Sequence, residues 1–389
     1  MITCAIKFGG LEGPACHRPR RAACAPSPLQ MISLLALLVV GDLSNAEEAF
    51  VPVEPARVQA AVAGGLKWLA DHQIKEGSEA GSWECRQYPS AVASFAGLAF
   101  LANGHMPGRG VYSNEVARAL NYVKAGMTPD GYLGTQGNSM YVHAICTLFG
   151  LSCLGMLPDT KDEKELADWC RKSLKVIVQA QKVPKRSGEQ GGWRYLPVTG
   201  ESDLSVTSWQ MLALHSARQC GYPIDPTCLQ EGLRYIESGW KDLGGGVGGF
   251  VYRPGVSKDP EAGISGAAIF IKSLLEPDVD VGKTRAFLRQ FPPAWGGPHY
   301  NGYFYFVSFY LAQGMLQQGG AEWASYSTVL QKILLEHQDG DGHWQFPSDN
   351  RPIESEEGVG QAYATAMAVL MLSLDKQYLP MYQRQMRLY

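Results

Sequence analysis

Two kinds of apolar stretch alternate along the chain, and they differ in whether they keep a wet side. In KDEKELADWCRKSLKVIVQAQ (161–181), Leu166, Trp169, Cys170, Leu174 and Ile177 share one helix face while Asp168, Arg171, Lys172 and Lys175 share the other. The next stretch, SVTSWQMLAL (205–214), has no polar face. Neither do SAVASFAGLAFLA (90–102), YVHAICTLFGLSCLGML (141–157), GISGAAIFIKSLL (263–275), GYFYFVSFYLAQGML (302–316) and GQAYATAMAVLMLSL (360–374). A helix of that kind has to be buried on every side.

The alternation has a period. An apolar or aromatic residue followed by an aliphatic one returns at Trp68-Leu69, Tyr122-Val123, Val176-Ile177, Tyr235-Ile236, Phe287-Leu288 and Ile333-Leu334, at spacings of 54, 54, 59, 52 and 46 residues. In three of these units a glutamine follows at one offset (Gln73, Gln181, Gln338), and then Gly-x-Trp: GSW (81–83), GGW (191–193) and GHW (342–344). DGY (130–132) and GGF (248–250) are weaker versions. Six amphipathic helices alternating with six buried ones predict an inner ring wrapped by an outer ring, because closure leaves no apolar end to cap. The expected fold is all-α, an α6/α6 toroid, as a single domain over residues 47–389 with six helical hairpins at about 55–376. No strand pattern is left over, and the tail YLPMYQR (378–384) is expected to pack across the last unit.

The aromatic-aliphatic pair, the glutamine and the Gly-x-Trp resemble the repeats of squalene–hopene cyclases and protein prenyltransferase β subunits, the terpenoid cyclase/prenyltransferase superfamily. The resemblance covers nearly the whole chain after residue 46. It implies a central, aromatic-lined cavity for isoprenoid chains. It also implies that Gln73, Trp83, Gln181, Trp193, Gln338 and Trp344 tie neighbouring helices together rather than form a site.

The chain departs from that family's chemistry at the residues that matter most. Squalene–hopene cyclases carry Asp-x-Asp-Asp at the start of an inner helix, and the middle aspartate protonates an alkene. The corresponding places here read Asp203, Leu204, Ser205 and Val206. A serine hydroxyl is not an acid of the strength that reaction needs. In PDVDV (277–281), Asp280 begins an outer helix and reads as its cap. RSGEQ (186–190) is similar to the Gly-Cys-Gly-Glu-Gln thioester of complement-type toroids, but Ser187 stands where the cysteine would be. Neither an aspartate-rich Mg²⁺ motif nor the Asp-x-Cys and distant His of a prenyltransferase zinc site is present, so no metal or cofactor is expected.

The starts of the inner helices carry a polar and aromatic set: Tyr141 and His143; Asp203, Ser205 and Thr207; Glu261 and Ser265; Tyr300, Tyr303 and Tyr305; Gln361 and Tyr363. If all inner helices run the same way, this set lines the mouth of a cavity with apolar walls below. Asp203 reads first as a helix cap and second, with His143 and Glu261, as a candidate acid. His143 reads equally as a hydrogen-bonded core histidine. Tyr303 and Phe306 share a helix face, and Tyr305 points elsewhere.

Three functions fit these residues. The first is an exported protein binding a polyisoprenoid or other apolar ligand. The second is a terpenoid cyclase-like enzyme with a non-standard acid. The third is an α/α-toroid enzyme acting on glycans, which needs two carboxylates in one cleft, drawn from Asp203, Glu261, Glu356 and Glu357.

The first 46 residues read as a signal peptide. HRPRR (17–21) precedes the apolar MISLLALLVV (31–40), and Ser44 and Ala46 are the small residues of a cleavage site. The start is Met1 or Met31, and export to the periplasm or outside follows cleavage near Ala46. The apolar run is too short to span a bilayer. No transmembrane segment is expected in the mature chain, which leaves a peripheral membrane contact open. Losing the leader moves the net charge from −3 to about −5, which argues against nucleic acid as a partner. Six cysteines stay behind, with no metal-ligand spacing, and Cys220 and Cys228 are near enough in sequence to pair.

Overall fold

The computed structural model describes residues 51–384, apart from 135–138, 277 and 356. The signal-peptide reading and Glu356 therefore lie outside the described residues. Among the described residues there are twelve α-helices. The outer, amphipathic set is α1 (Pro55–His72), α3 (Ser113–Ala125), α5 (Thr160–Lys182), α7 (Pro226–Ser238), α9 (Gly282–Leu288) and α11 (Gly320–Glu336). The inner set is α2 (Pro89–Leu101), α4 (Ser139–Cys153), α6 (Leu204–Gln219), α8 (Ala262–Leu275), α10 (Phe304–Gln318) and α12 (Gln361–Leu372). Every residue of α6 from Leu204 to Ala217 is buried, as a helix without a wet face requires. Each inner helix packs on the next, and α12 packs on α2, so the ring closes as an α/α toroid.

The glutamine and Gly-x-Trp residues make the same bonds in three units. Trp83, Trp193 and Trp344 donate their indole N–H to the carbonyls of Leu69, Ile177 and Leu334 on the preceding outer helix, at 2.7, 2.8 and 2.6 Å. Each glutamine amide bridges its own glycine loop to the outer helix of the following unit, at the carbonyls of Glu115, Cys228 and Ala61 (2.9 Å in each case). The last of these, Gln338 to Ala61, joins the final unit to the first and is the bolt of the closed ring. Gly191 has φ of 86°, and a Cβ there would strike the Glu231 carbonyl of the next outer helix. Only glycine allows that approach.

Two expectations need correction. A short antiparallel hairpin, β1 (Trp240–Gly244) with β2 (Val247–Phe250), interrupts the helices. It was invisible as a strand pattern because β1 is exposed on both faces and so has no apolar–polar alternation. Gly244, Gly245 and Gly246, all with positive φ, supply its turn. The C-terminal tail does not lie across the last unit. Residues 380–382 pack on α6 and α4, with Leu379, Met381 and Tyr382 buried. His215 Nε2 bonds the Gln383 carbonyl at 2.6 Å, and Arg384 Nε donates to Gln317 Oε1 at 2.8 Å. The apolar ends of the inner helices need a cover, and the tail provides it. Cys85, Cys146, Cys153, Cys170, Cys220 and Cys228 are free thiols.

Candidate active site at the open end of the ring

The inner helices run in parallel, so their first turns meet at one end of the ring. Asp203 is held there by its own Gly-x-Trp turn. Its N–H donates to the Trp193 carbonyl (2.9 Å), and the next residue, Leu204, donates to the Tyr252 carbonyl (3.0 Å). Its Oδ1 accepts from Val206 N–H at 2.9 Å, the cap expected of an aspartate at a helix start. The same oxygen accepts the Ser205 hydroxyl at 2.8 Å. The Tyr141 hydroxyl, from α4, is hydrogen-bonded in turn to Ser205 Oγ. Oδ2 has no hydrogen bond of its own and lies 3.7 Å from Arg194 Nε.

Asp203 is fully buried, and burial pushes its carboxyl up to about 6. The hydrogen bonds from Val206 and Ser205, with Arg194 and Tyr252, pull the other way without winning. Tyr195 and Tyr252 join hydroxyl to hydroxyl at 2.8 Å beside this group, and Arg194 covers the Tyr195 ring at 4.8 Å. Across the ring axis, Phe306 of α10 meets Tyr141 edge to face, with centroids 6.4 Å apart. An ion-pair cluster braces the loop ahead of Asp203. Arg194 lies 3.2 Å from Glu201, and Arg253 lies 3.0 Å from Glu189, whose other oxygen accepts Ser202 N–H at 2.7 Å.

A second buried carboxyl, Glu354, sits at the start of α10. It accepts from Tyr305 N–H (3.2 Å), Phe306 N–H (3.0 Å), the Tyr363 hydroxyl (2.8 Å) and the Asn350 amide (2.9 Å). Burial raises it to about 7 despite these donors. Glu261, by contrast, is exposed at the start of α8.

One or two turns below the mouth the axis is filled. Phe95 of α2 packs on Trp209 of α6 and on Tyr363 of α12, each at 5.7 Å, and Trp209 stacks on Phe309 of α10 at 5.8 Å. Tyr310 tilts against Trp209 at 5.3 Å. The Phe95–Trp209 and Trp209–Phe309 pairs join helices that are not neighbours in the ring, α2 with α6 and α6 with α10, so these rings close the axis as a layer. The tail closes its far end.

The sequence-predicted set divides. Tyr141, Asp203 and Ser205 are brought together. Tyr303 is half-buried beneath Arg351 (5.3 Å), and Gln361 is half-buried at the first turn of α12. His143, which reads equally from the sequence as a mouth residue and as a core histidine, is a core residue. Its Nδ1 accepts Leu133 N–H at 3.1 Å, its Nε2 bonds the Ser173 carbonyl at 2.9 Å, and burial lowers it to about 4. Thr207 and Ser265 do the same work, accepting the N–H of Trp193 (3.0 Å) and Phe250 (2.8 Å), as Thr365 does for Trp344 (3.2 Å). All four tie an inner helix to its Gly-x-aromatic turn or its counterpart. Tyr300 and Tyr305 also turn from the mouth, bonding Ala294 N–H (3.1 Å) and the Gln345 carbonyl.

Arg194, Tyr195, Tyr252 and Glu354 were not read from the sequence as site residues. A signal for two of them exists: GGWRY and GGFVY each place a tyrosine two residues beyond the Gly-x-aromatic, where an extended chain returns to the same side. Glu354 has no such signal. Among the described residues, no cluster of His, Cys, Asp and Glu could hold a metal ion. None of their helices is long and apolar enough to cross a membrane.

No family model matches the chain, and no curated protein matches it in sequence. Solved structures match the fold. A glycosidase superposes with a TM-score of 0.55 at 14% identity, covering 84% of this chain and 100% of its own. The α-1,6-mannanase GH76A of Salegentibacter sp., an inactive variant in complex with α-1,6-mannotriose, gives 0.54 at 11%, covering 80% and 97%. The type II terpene cyclase MstE from Scytonema gives 0.51 at 13%, covering 83% and 100%. The chain is similar to all three in fold.

Proposed function

We propose that the open end of the ring is a carbohydrate site and that Asp203 supplies the acid for cleaving a glycosidic bond there. The observation that carries this reading is the state of Asp203, a buried carboxyl raised to about 6. A general acid for a glycosidic oxygen works best with a pKa near the working pH, where it still holds a proton to give. Protonating an alkene asks for the opposite, a carboxyl made stronger than usual. The aromatic layer of Phe95, Trp209 and Phe309 supports the same choice, since it leaves a shallow mouth of tyrosines, arginine and carboxyls rather than a deep apolar chamber. Glu261, exposed at the start of α8, is the carboxylate this reading assigns to receive a proton from attacking water. Two of the fold neighbours described above are glycosidases, which agrees with this choice without deciding it. With the leader read as a signal peptide, the glycan would be met outside the cytoplasm.

An apolar ligand is the second reading, favoured by the facing Tyr141 and Phe306 rings at the mouth. One experiment separates the two. Purified protein is assayed against a panel of α- and β-linked oligosaccharides, and material extracted from it is identified by mass spectrometry. Sugar release that falls about 10²-fold or more in Asp203→Asn, with the fold intact, is the expected result. A co-purifying isoprenoid with no sugar binding would overturn it.

A further inference from the structure

Asp203 cannot touch a ligand. Its side chain is fully buried, and Ser205, itself 3% exposed, stands between it and the half-buried Tyr141. The carboxyl nevertheless has a continuous path outward: Asp203 Oδ1 to Ser205 Oγ at 2.8 Å, and Ser205 Oγ to the Tyr141 hydroxyl. The geometry points to Tyr141 as the group that hands a proton to the bound substrate, with Ser205 and Asp203 as the relay that refills it. The inference rests on the glycan reading above and names the residue that performs its first step.

In that step the Tyr141 phenolic proton moves to the glycosidic oxygen. The C–O bond breaks, its electron pair leaves with that oxygen, and the leaving sugar departs as an alcohol. With Asp203 protonated on Oδ1, the Ser205 hydroxyl turns to donate to Tyr141 instead; Tyr141 then takes the Ser205 hydroxyl proton and Ser205 takes the carboxyl proton of Asp203, which ends as a carboxylate with Ser205 donating to it again. Water then bonds to the sugar carbon and gives up one proton to Glu261, which releases it to solvent. A solvent proton restores Asp203, so the sum is hydrolysis. The relay is necessary because a phenol alone is a poor donor. Its ordinary pKa is about 10, and burial with the nearby Asp203 carboxylate holds that of Tyr141 well above it. Concerted transfer avoids a buried phenolate, and the charge that appears is the one Asp203 is built to carry.

Tyr252, which also lies beside Asp203 and is joined to Tyr195 at 2.8 Å, stands off the Ser205–Tyr141 path and serves as the internal control. Among the described residues, Arg194, Tyr235, Tyr252 and Tyr141 are the titratable or charged side chains that face Asp203 from the elements packed around it, with Tyr195 behind Tyr252.

The test compares oligosaccharides with aryl glycosides whose leaving phenol is acidic enough to depart without a proton. Tyr141→Phe and Ser205→Ala should each lose about 10²-fold on the oligosaccharide and less than about tenfold on the activated aryl glycoside. Ser205→Thr, which keeps a hydroxyl, should restore most of the rate, and Tyr252→Phe should leave the ratio of the two substrates unchanged. Equal losses on both substrates, or a loss confined to Tyr252→Phe, would overturn the assignment. A substrate-free readout stands beside it: with 3-fluorotyrosine incorporated, the ¹⁹F resonance of Tyr141 should follow the titration of Asp203 and cease to do so in Ser205→Ala. A signal that ignores Ser205→Ala sinks the relay itself. If the relay titrates but no aryl glycoside is cleaved, the glycan reading falls and takes the transfer step with it.

Discussion

The two ends of the ring are built from the same inner helices and carry opposite chemistry. At the open end the helices present free N–H groups and the positive ends of their dipoles, and carboxyls gather there: Asp203 as the cap of α6 and Glu354, from a loop, against the first turn of α10. At the closed end they present free carbonyls, and donors gather instead. Arg384 of the tail bonds both the side chain and the backbone carbonyl of Gln317, in the last turn of α10. The difference also shows which effect dominates. Helix dipoles and hydrogen bonds favour ionised carboxyls, yet both carboxyls stay above their ordinary range, because desolvation outweighs those terms. The closed end is tied by the tail's hydrogen bonds and serves stability, whereas the open end keeps acids that are costly to ionise.

Removing the tail after Tyr378 should give the largest effect of all. It strips Leu379, Met381 and Tyr382 from the closed end, and the loss should reach about 4 kcal/mol or more by thermal or denaturant unfolding. A truncated protein as stable as the full chain would mean the tail is not a structural cover. Trp209→Ala should follow, at about 3–5 kcal/mol, because it opens a cavity in the layer that separates the two ends. If that layer is what makes the mouth shallow, the variant should also gain affinity for small apolar probes, measured by calorimetry.

The ends should respond to pH with opposite sign. His215, at the closed end, is lowered to about 4 by burial, so it contributes stability above its unfolded value of 6.5 that is lost as pH falls towards 4. His215→Gln keeps a donor for the Gln383 carbonyl and should flatten that acid loss, worth about 2–3 kcal/mol near pH 4. Glu354, at the open end, is raised to about 7 from 4.5, so its contribution is full below 4.5 and lost as pH rises through 7. Glu354→Gln should therefore be more stable than the native protein at pH 8, by roughly 2 kcal/mol, and no more stable at pH 4. The smallest effect is expected for Asp203→Asn. Its window, from 3.8 to about 6, has the same sign as that of Glu354, but the variant gives up the attraction of Arg194. Asparagine keeps the cap, so a gain of about 1 kcal/mol at pH 8 and near silence at pH 4 are expected in melts at the two pH values. A loss of stability at both would mean that the charged cap outweighs its burial.

Much of the scaffold could be read in the chain, and less of the site. Asp203 was recognisable as a cap because a short acidic side chain directly precedes an apolar helix. His143 was ambiguous for the same local reason. Its position in the first turn of α4 is visible, whereas the Ser173 carbonyl that makes it a structural residue belongs to α5. Glu354 could not be found, since it lies in a loop without periodicity and its partners Tyr305 and Phe306 lie 49 and 48 residues away.

What the sequence by itself determined is the alternation of wet and dry helices and the recurrence of the glutamine and Gly-x-Trp turns, because helical periodicity and turn chemistry act within a few residues. Tertiary structure alone decided which side chains share the axis. The Tyr141 to Ser205 bond spans 64 positions, and Gln338 to Ala61 spans 277. Only ring closure creates such neighbours, and with them the burial that raises Asp203, the aromatic layer beneath it and the tail that seals the other end.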